Sequence, residues 1–181
     1  VLSNVVSLNI IIGLLFMAVA LTYIDPILYF FGASANTLPY AKEYIRIILY
    51  GNIITHLYFG LNAAMRSTGS PKKAMGLTIF TVILNAILDP IFIFTLDMGI
   101  AGAAWATVIA QSVSLIIVMM HFSNHERAVH FKKGILRLNF KIAKESLAIG
   151  AGPFLMNAAA CLVTLFINQQ LRTYSGDLGI G

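Results

Sequence analysis

Five apolar stretches, each long enough to cross a lipid bilayer, constrain the fold of this chain more than any other feature. A membrane-spanning helix needs about 20 predominantly apolar residues, and Asp89 is the only charged residue within the five stretches. The chain is 10% charged, against about 25% in ordinary soluble domains. The sequence therefore predicts an all-α, polytopic integral membrane helix bundle. The predicted spans are residues 1–24, 47–65, 74–96, 98–120 and 146–171.

The basic residues are concentrated in two of the connections between these spans. Residues 66–73 and 121–145 contain most of the 12 Lys and Arg residues, and the positive-inside rule predicts that both segments are cytoplasmic. The second segment mixes basic and apolar side chains, as an interfacial helix does, although a solvated linker fits equally. The first connection has turn residues at Asp25-Pro26 and in the Gly32 to Pro39 stretch, followed by the mixed charges at 42–46, and is predicted to lie outside the cytoplasm. We expect a multi-pass protein of the cell (inner) membrane.

Several other classes of protein are disfavoured by the composition. The net charge of +5 follows the membrane topology and forms no basic and aromatic stripe, so we expect no nucleic-acid partner. Cys161 is the single cysteine, which excludes an intrachain disulfide and a cysteine-rich zinc site. The chain does not begin with Met and starts within a hydrophobic stretch, and we therefore expect a piece of a longer protein.

Asp89 is the residue that most strongly suggests a function. Placing a carboxylate within a membrane span costs roughly 2.5–3.5 kcal/mol on insertion scales, so such groups usually face a protein interior or an aqueous cavity. Pro90 follows directly; its missing N–H releases the carbonyl of Ala86 and its ring favours a helix kink. Asn85 lies one helical turn earlier. The Asp89 carboxylate, the Asn85 amide oxygen and the released backbone carbonyl predict a site for a hard cation or for ordered water. Na⁺ bound by Asp89 and Asn85 is one candidate occupant.

Polar residues on the apolar spans recur at helical spacing. Thr78, Thr81, Asn85 and Asp89 share one face of their span, and Thr107, Gln111 and Ser114 share a face of the next. The pattern indicates a bundle with a polar interior, although each such residue could equally serve as interhelical hydrogen-bond glue. The candidate cavity-lining residues are Thr81, Asn52, Asn62, Gln111, Asn157 and Asn168.

Three motifs resemble one family of transporters. The runs RSTG at 66–69, NAILDP at 85–90 and GIAGAAWAT at 99–107 are similar in order and spacing to multidrug and toxic compound extrusion (MATE) transporters. The resemblance implies a twelve-helix protein made of two six-helix bundles, of which this chain holds helices three to seven. Residues 1–122 would then be the last four helices of the first bundle, 123–145 a basic cytoplasmic linker, and 146–181 the truncated first helix of the second.

The resemblance also implies an activity. Asn85, Asp89 and Thr107 would couple transport to H⁺ or Na⁺, together with an acidic residue on a first helix that this chain lacks. The expected function is an antiporter that exports drugs or other cationic amphipathic compounds by alternating access, with no cofactor beyond the coupling ion. Its expected partners are the bilayer, the small-molecule substrate, and the missing N-terminal helices and C-terminal bundle of the same protein.

Other functions remain open at the level of sequence. A related flippase for a lipid-linked saccharide would share the framework, but such proteins usually line the cavity with basic residues, and the apolar cores here contain no Lys or Arg. A non-transporting membrane scaffold is the second alternative. An enzyme is not expected, because the chain contains no His-Glu-x-x-His zinc motif, nucleophile elbow or phosphate-binding loop.

Overall fold

The computed structural model describes residues 2–123, 130 and 139–175, and all regular secondary structure within these residues is helical. This confirms the predicted all-α fold. The elements are α1 (Leu2–Thr22), α2 (Ile24–Phe30), α3 (Leu38–Tyr50), α4 (Asn52–Ser67), α5 (Pro71–Pro90), a π-helix (Ile91–Thr95), α6 (Gly99–Ser123) and α7 (Phe140–Ser175).

Four helical segments of the described residues are long and apolar enough to cross a membrane. They are Leu2–Thr22, Pro71–Thr95, Gly99–Ser123 and Phe140–Gln170. Large apolar side chains point outward from them; Leu15, Val82 and Phe154, for example, are 67%, 63% and 69% exposed. An apolar surface of this extent is typical of a face that meets lipid or a partner rather than water.

The predicted second span, residues 47–65, is not one helix. α3 and α4 are 13 and 16 residues long and meet at Gly51, where an added Cβ would lie 2.5 Å from Val108 Cγ2 on α6. The chain turns at residues 31–37, which overlap the predicted Gly32 to Pro39 stretch, but the turn predicted at Asp25-Pro26 is wrong, because both residues lie in α2. Pro26 in α2 and Pro39 in α3 stand in the first turn of a helix, where the missing N–H costs no hydrogen bond.

The last helix begins earlier than the sequence predicts. α7 starts at Phe140 rather than at residue 146, because the side chain of Asn139 accepts hydrogen bonds from the backbone N–H groups of Lys141 and Ile142 and so caps the helix. Residues 124–129 and 131–138 of the predicted linker lie outside the described residues, as do residues 176–181. The interfacial helix within that linker therefore stays a prediction.

The basic connection between α4 and α5 is a tight reversal of the chain. Gly69 adopts a φ of +89°, and the N–H of Ser70 donates to the carbonyl of Met65 at 3.1 Å. This is the bond that closes a Schellman motif, which favours glycine at the left-handed position. Pro71 then opens α5. Two antiparallel helices therefore follow one another directly at this turn.

The start of α1, the end of α4, the start of α5 and the end of α6 pack into a single apolar cluster at one end of the bundle. Residues 66–73 connect α4 to α5 at this end, and the described flanks of the second basic segment, residues 121–123 and 139, lie there too; we call it the basic end. α6 packs against α3, α4, α5 and the π-helix and is the most buried of the four spans. The cluster is formed by Leu2, Val6, Tyr58, Leu61, Met65, Ala74, Leu77, Leu115, Val118 and Phe122.

Candidate functional site

The structure brings Asp89, Asn85 and Thr107 together between α5 and α6. Asn85 donates from Nδ2 to Asp89 Oδ1 at 3.2 Å and to Thr107 Oγ1 at 3.4 Å. The Thr107 hydroxyl in turn donates to the carbonyl of Ala103 at 3.0 Å, which leaves its lone pairs to accept from Asn85. All three predicted coupling residues are half-buried and form one hydrogen-bonded chain across two helices.

Asp89 has an amide neighbour but no basic one among the described residues. The structure shows an ion pair elsewhere among the described residues, between Lys42 and Asp25, with 2.8 Å between Nζ and Oδ2. Carboxylates within membrane spans usually face a protein interior or an aqueous cavity, and the half-buried position of Asp89 agrees with this. The described residues hold no cluster of three or more His, Cys, Asp or Glu residues, so a site for a transition metal is not supported there.

The backbone changes its hydrogen bonding immediately after Asp89. α5 ends at Pro90, and residues 91–95 form the π-helix, in which the N–H of Leu96 donates to the carbonyl of Ile91 at 2.9 Å. Turns of π-helix occur frequently at functional sites. The π-helix rests on α6, where a Cβ added to Gly102 would lie 2.7 Å from the carbonyl carbon and oxygen of Phe92. Pro90 thus marks a change of helix type, and its kink stays a prediction.

A cavity of about 170 Å³ lies between α4, α5 and α6 on the Asn85 side of this site. Four predicted residues line it, namely Thr81, Asn85, Thr107 and Gln111. Asp89 is not part of the wall but is connected to it through Asn85. The remaining lining residues are Tyr58, Phe59, Thr78, Val82 and Ala110.

Thr81, a residue of the cavity wall, joins three helices through its hydroxyl. Its hydroxyl lies 2.8 Å from the carbonyl of Leu77, 2.9 Å from Tyr58 Oη and 2.7 Å from Ser114 Oγ. A hydroxyl has one hydrogen to donate, and because the carbonyl can only accept, Thr81 donates to Leu77 and accepts from both other hydroxyls. Thr81 is therefore at once a lining residue and the interhelical glue that the sequence left as an alternative.

Gln111 is bound in a similar way. Its Oε1 accepts a short hydrogen bond from the Thr55 hydroxyl, which connects α4 to α6 at the cavity wall. The pattern of small polar residues at helical spacing does not include Tyr58, which lines the cavity. The signal was available, since a tyrosine within an apolar span usually needs a partner for its hydroxyl.

Two predicted lining residues, Asn52 and Asn62, are buried and form hydrogen bonds to the backbones of neighbouring helices. Asn52 donates to the carbonyl of Gly13 at 2.9 Å and Asn62 to that of Ala74 at 3.2 Å. Both are almost fully buried, at 8% and 1% exposure, and neither is among the residues that line the cavity. They hold α4 against α1 and against the start of α5.

The two predicted lining residues on α7 also lie away from the cavity. Asn157 is exposed and donates to the carbonyl of Pro153 on its own helix at 2.9 Å. Asn168 is half-buried, and its Cβ would lie 3.8 Å from a Cβ added to Gly32, in the turn that follows α2. Among the described helices, α7 packs only against α1.

Long apolar helices around a half-buried polar site define a polytopic α-helical membrane protein. The model of the MatE family matches residues 1–91, which is half of the chain, and the chain therefore belongs to this family of multidrug efflux transporters. Its members are transporters and not enzymes, as the sequence predicted.

Three comparisons place the chain more closely. It is 30% identical over 163 residues to the multidrug export protein MepA of Staphylococcus aureus, an alignment that covers 90% of this chain and 36% of MepA. A solved inward-facing MATE family transporter of the MOP superfamily is 27% identical with a TM-score of 0.90, covering 98% of this chain and 42% of that one. An outward-facing one is 28% identical with a TM-score of 0.82, covering 97% and 39%. The chain thus spans about a third of the length of the curated relatives it matches.

Proposed function

We propose that this chain is part of an antiporter that exports drugs or other cationic amphipathic compounds across the cell membrane, driven by H⁺ or Na⁺. Membership of the family and the similarity to a multidrug export protein support the class of substrate. The observation that carries the proposal is the position of Asp89, a half-buried carboxylate that has no basic partner among the described residues and is joined by Asn85 to the cavity wall.

The hydrogen bond between Asn85 and Asp89 gives the ion a way to act on the cavity. In the arrangement observed, Asn85 donates to the Asp89 carboxylate at 3.2 Å. For Na⁺ to bind between the two residues, the amide must turn its oxygen to the ion, and its hydrogens then leave Asp89. Ion occupancy therefore alters a residue that lines the cavity. An ion shifts an inward-to-outward equilibrium only through different affinities for the two states. We propose that the two states differ in how readily the Asn85 amide turns, and so in their affinity for the ion.

The backbone around Asp89 supports the same proposal. The carboxylate sits at the junction between α5 and the π-helix, next to Pro90, where regular helical hydrogen bonding stops. A change of charge at this junction acts on a segment with fewer regular backbone constraints than the rest of α5. We propose that filling and emptying of the site bias the outer end of this helix.

The walls of the cavity favour a cationic amphipathic substrate over a lipid-linked saccharide. None of the lining residues is charged, and Phe59, which is 55% exposed, offers an aromatic face. Aromatic faces attract cations, whereas an anionic headgroup would need basic residues. At about 170 Å³ the cavity is smaller than the roughly 300–1,000 Å³ typical of drug sites. We therefore propose that further helices of the same protein, including one that carries an acidic partner for Asp89, complete it.

The orientation in the membrane follows from the basic end. We propose that segments 66–73 and 121–145 face the cytoplasm and contact anionic headgroups of the inner membrane, in accordance with the positive-inside rule. The packing supports this proposal, because residues 66–73 and the described flanks of the second segment lie at the same end of the bundle.

The proposal is tested with the longer protein that contains this chain, reconstituted in liposomes, by following efflux of ethidium under imposed H⁺ or Na⁺ gradients. We expect Asp89→Asn to abolish gradient-driven efflux while membrane insertion is unchanged. Asp25→Asn is the matched control, because it removes a carboxylate that is 47% exposed and lies away from the cavity. Unchanged efflux in the Asp89→Asn protein would sink the proposal.

A further inference from the structure

The start of α7 is fastened to the start of α1 by a single buried side chain. Asn4, which is 4% exposed, donates from Nδ2 to the backbone carbonyl of Asn139 at 3.0 Å. It also accepts a hydrogen bond from the backbone N–H of Asn139 at 2.8 Å. One side-chain amide therefore binds both backbone groups of the residue that caps α7.

This bond pattern requires an amide side chain at position 4. The N–H of a helix-capping residue has no partner within its own helix, and Asn4 supplies one. The carbonyl of Asn139 already accepts the first helical bond from the N–H of Ala143 at 2.9 Å, and Asn4 occupies its remaining acceptor capacity. Only asparagine and glutamine side chains offer a donor and an acceptor side by side in this way.

Few side chains of α7 beyond its first turn are buried against the described part of the bundle. Over residues 140–170, only Ala143 and Leu165 are buried. Ala143 lies one turn beyond Asn139, so that burial and hydrogen bonding coincide at the basic end. The large apolar side chains midway along α7, such as Ile149 and Met156, are each 79% exposed. The attachment of α7 to α1 is thus strongest at Asn4.

We infer that Asn4 is a pivot, a positioning residue that keeps the first turn of α7 on α1 while the remainder of α7 changes its position during transport. The inference rests on the proposed function and on the cytoplasmic orientation of the basic end. The structure superposes better on an inward-facing relative than on an outward-facing one, with TM-scores of 0.90 and 0.82. Inward-facing transporters are open at the cytoplasmic side. A contact that is intact there in this arrangement is not a gate that must break for opening.

The first experiment measures the contact itself. In the longer protein, with Cys161 and other cysteines replaced, Asn4→Cys and Asn139→Cys are combined and cross-linked in liposomes by a short bifunctional thiol reagent. Cross-linking is compared with and without an imposed ion gradient, in the absence of substrate. We expect a yield that is the same within about two-fold, because a contact that persists in both states favours neither. A yield that falls about tenfold in one condition would overturn the pivot.

The second experiment measures transport by the same protein. Because Asn4→Cys also removes the two hydrogen bonds, the baseline is the double-cysteine protein before cross-linking. We expect the cross-link, which replaces the lost tie between the two residues, to keep ethidium efflux at or above that baseline, and loss of efflux on cross-linking that is restored by cleavage of the reagent would also overturn the pivot. Failure of the unmodified protein to transport would count against the proposed function alone, because the cross-linking yield is measured without transport.

Substitutions separate the pivot from a general role in folding. Asn4→Leu keeps the approximate size of the side chain but removes both hydrogen bonds. Because the movements of α1 and α7 would then no longer be coupled, we expect efflux to fall about tenfold. Asn139→Ala removes the cap while leaving the backbone groups that Asn4 binds, and we expect efflux within about two-fold of the unmodified protein. Equal losses in the two variants, at equal amounts of inserted protein, would contradict the assignment.

Discussion

Asn85 donates a hydrogen bond from its side-chain amide to the carboxylate of Asp89, one helical turn further along α5, and a second to Thr107 on α6. The same amide lines the cavity. The proposed ion site at Asp89 and the wall of the cavity therefore share one side chain. Coupling between two sites requires a part of the structure whose conformation depends on both sites. Asn85 meets this requirement, because it contacts Asp89 and also lines the cavity.

Replacement of Asn85 by Leu is expected to weaken ion coupling more than it weakens membrane insertion. The change removes the amide oxygen that would bind Na⁺, an interaction with a charged group worth about 1.5–3 kcal/mol, or roughly 10- to 160-fold in apparent ion affinity. The net weakening is smaller than this, because the hydrogen bond that competes with the ion for Asp89 is lost as well. The measurement is the ion concentration that gives half-maximal ethidium efflux. Asn157→Leu is the matched control, because Asn157 is exposed and bonds only within α7, and its half-maximal concentration is expected to stay unchanged.

The aromatic wall of the cavity gives a second prediction. Phe59→Ala is expected to raise the half-saturating concentration of a cationic dye about 2- to 30-fold, the range for loss of a cation–π contact of about 0.5–2 kcal/mol. Phe94→Ala removes a ring of the π-helix that is 78% exposed and is not part of the cavity wall, and it should leave that concentration unchanged. A neutral dye of similar size should discriminate less between the two variants. Equal effects of the two substitutions would argue against a substrate site at Phe59.

Helical periodicity predicted the contents of the site well where the contact lies within one helix. Asn85 and Asp89 are four residues apart, so a shared face follows from the helix alone. Thr107 came from the resemblance to the family, and its contact with Asn85 agrees with it. The role of these residues in coupling stays a prediction.

Periodicity was less informative about which neighbour a polar face meets. Asn52 and Asn62 were predicted to line the cavity, but their side chains bind the backbones of α1 and α5, whereas Tyr58 and Phe59 between them on α4 line it. The predicted span is also interrupted at Gly51, where α3 ends and α4 begins. The orientation of a helix depends on packing against residues far along the chain, such as Val108, and no local pattern encodes this.

The close packing of the π-helix on α6 makes Gly102 a sensitive position. A Cβ there would lie 2.7 Å from backbone atoms of Phe92, which cannot rotate away. We expect Gly102→Ala to destabilise the protein by about 1–3 kcal/mol, the usual cost of overpacking. Gly76→Ala on α5 is the control, because nothing lies within 4 Å of its added Cβ, and alanine favours the helix by up to about 1 kcal/mol. Thermal unfolding in detergent measures both variants, and equal melting temperatures would contradict the close contact.

The hydroxyl of Thr81 is expected to stabilise the bundle through the two hydrogen bonds that it accepts. Thr81→Val keeps the shape of the side chain but leaves the hydroxyls of Tyr58 and Ser114 without their acceptor. Hydrogen bonds between membrane helices are worth about 0.6 kcal/mol on average and up to about 1.7, so the loss of two predicts a destabilisation of about 1–3 kcal/mol. Thr81→Ser retains the hydroxyl and should recover most of this stability. The comparison is made by thermal unfolding of the two variants at equal expression. A serine variant as unstable as the valine variant would show that the methyl group of Thr81, rather than its hydroxyl, holds the three helices together.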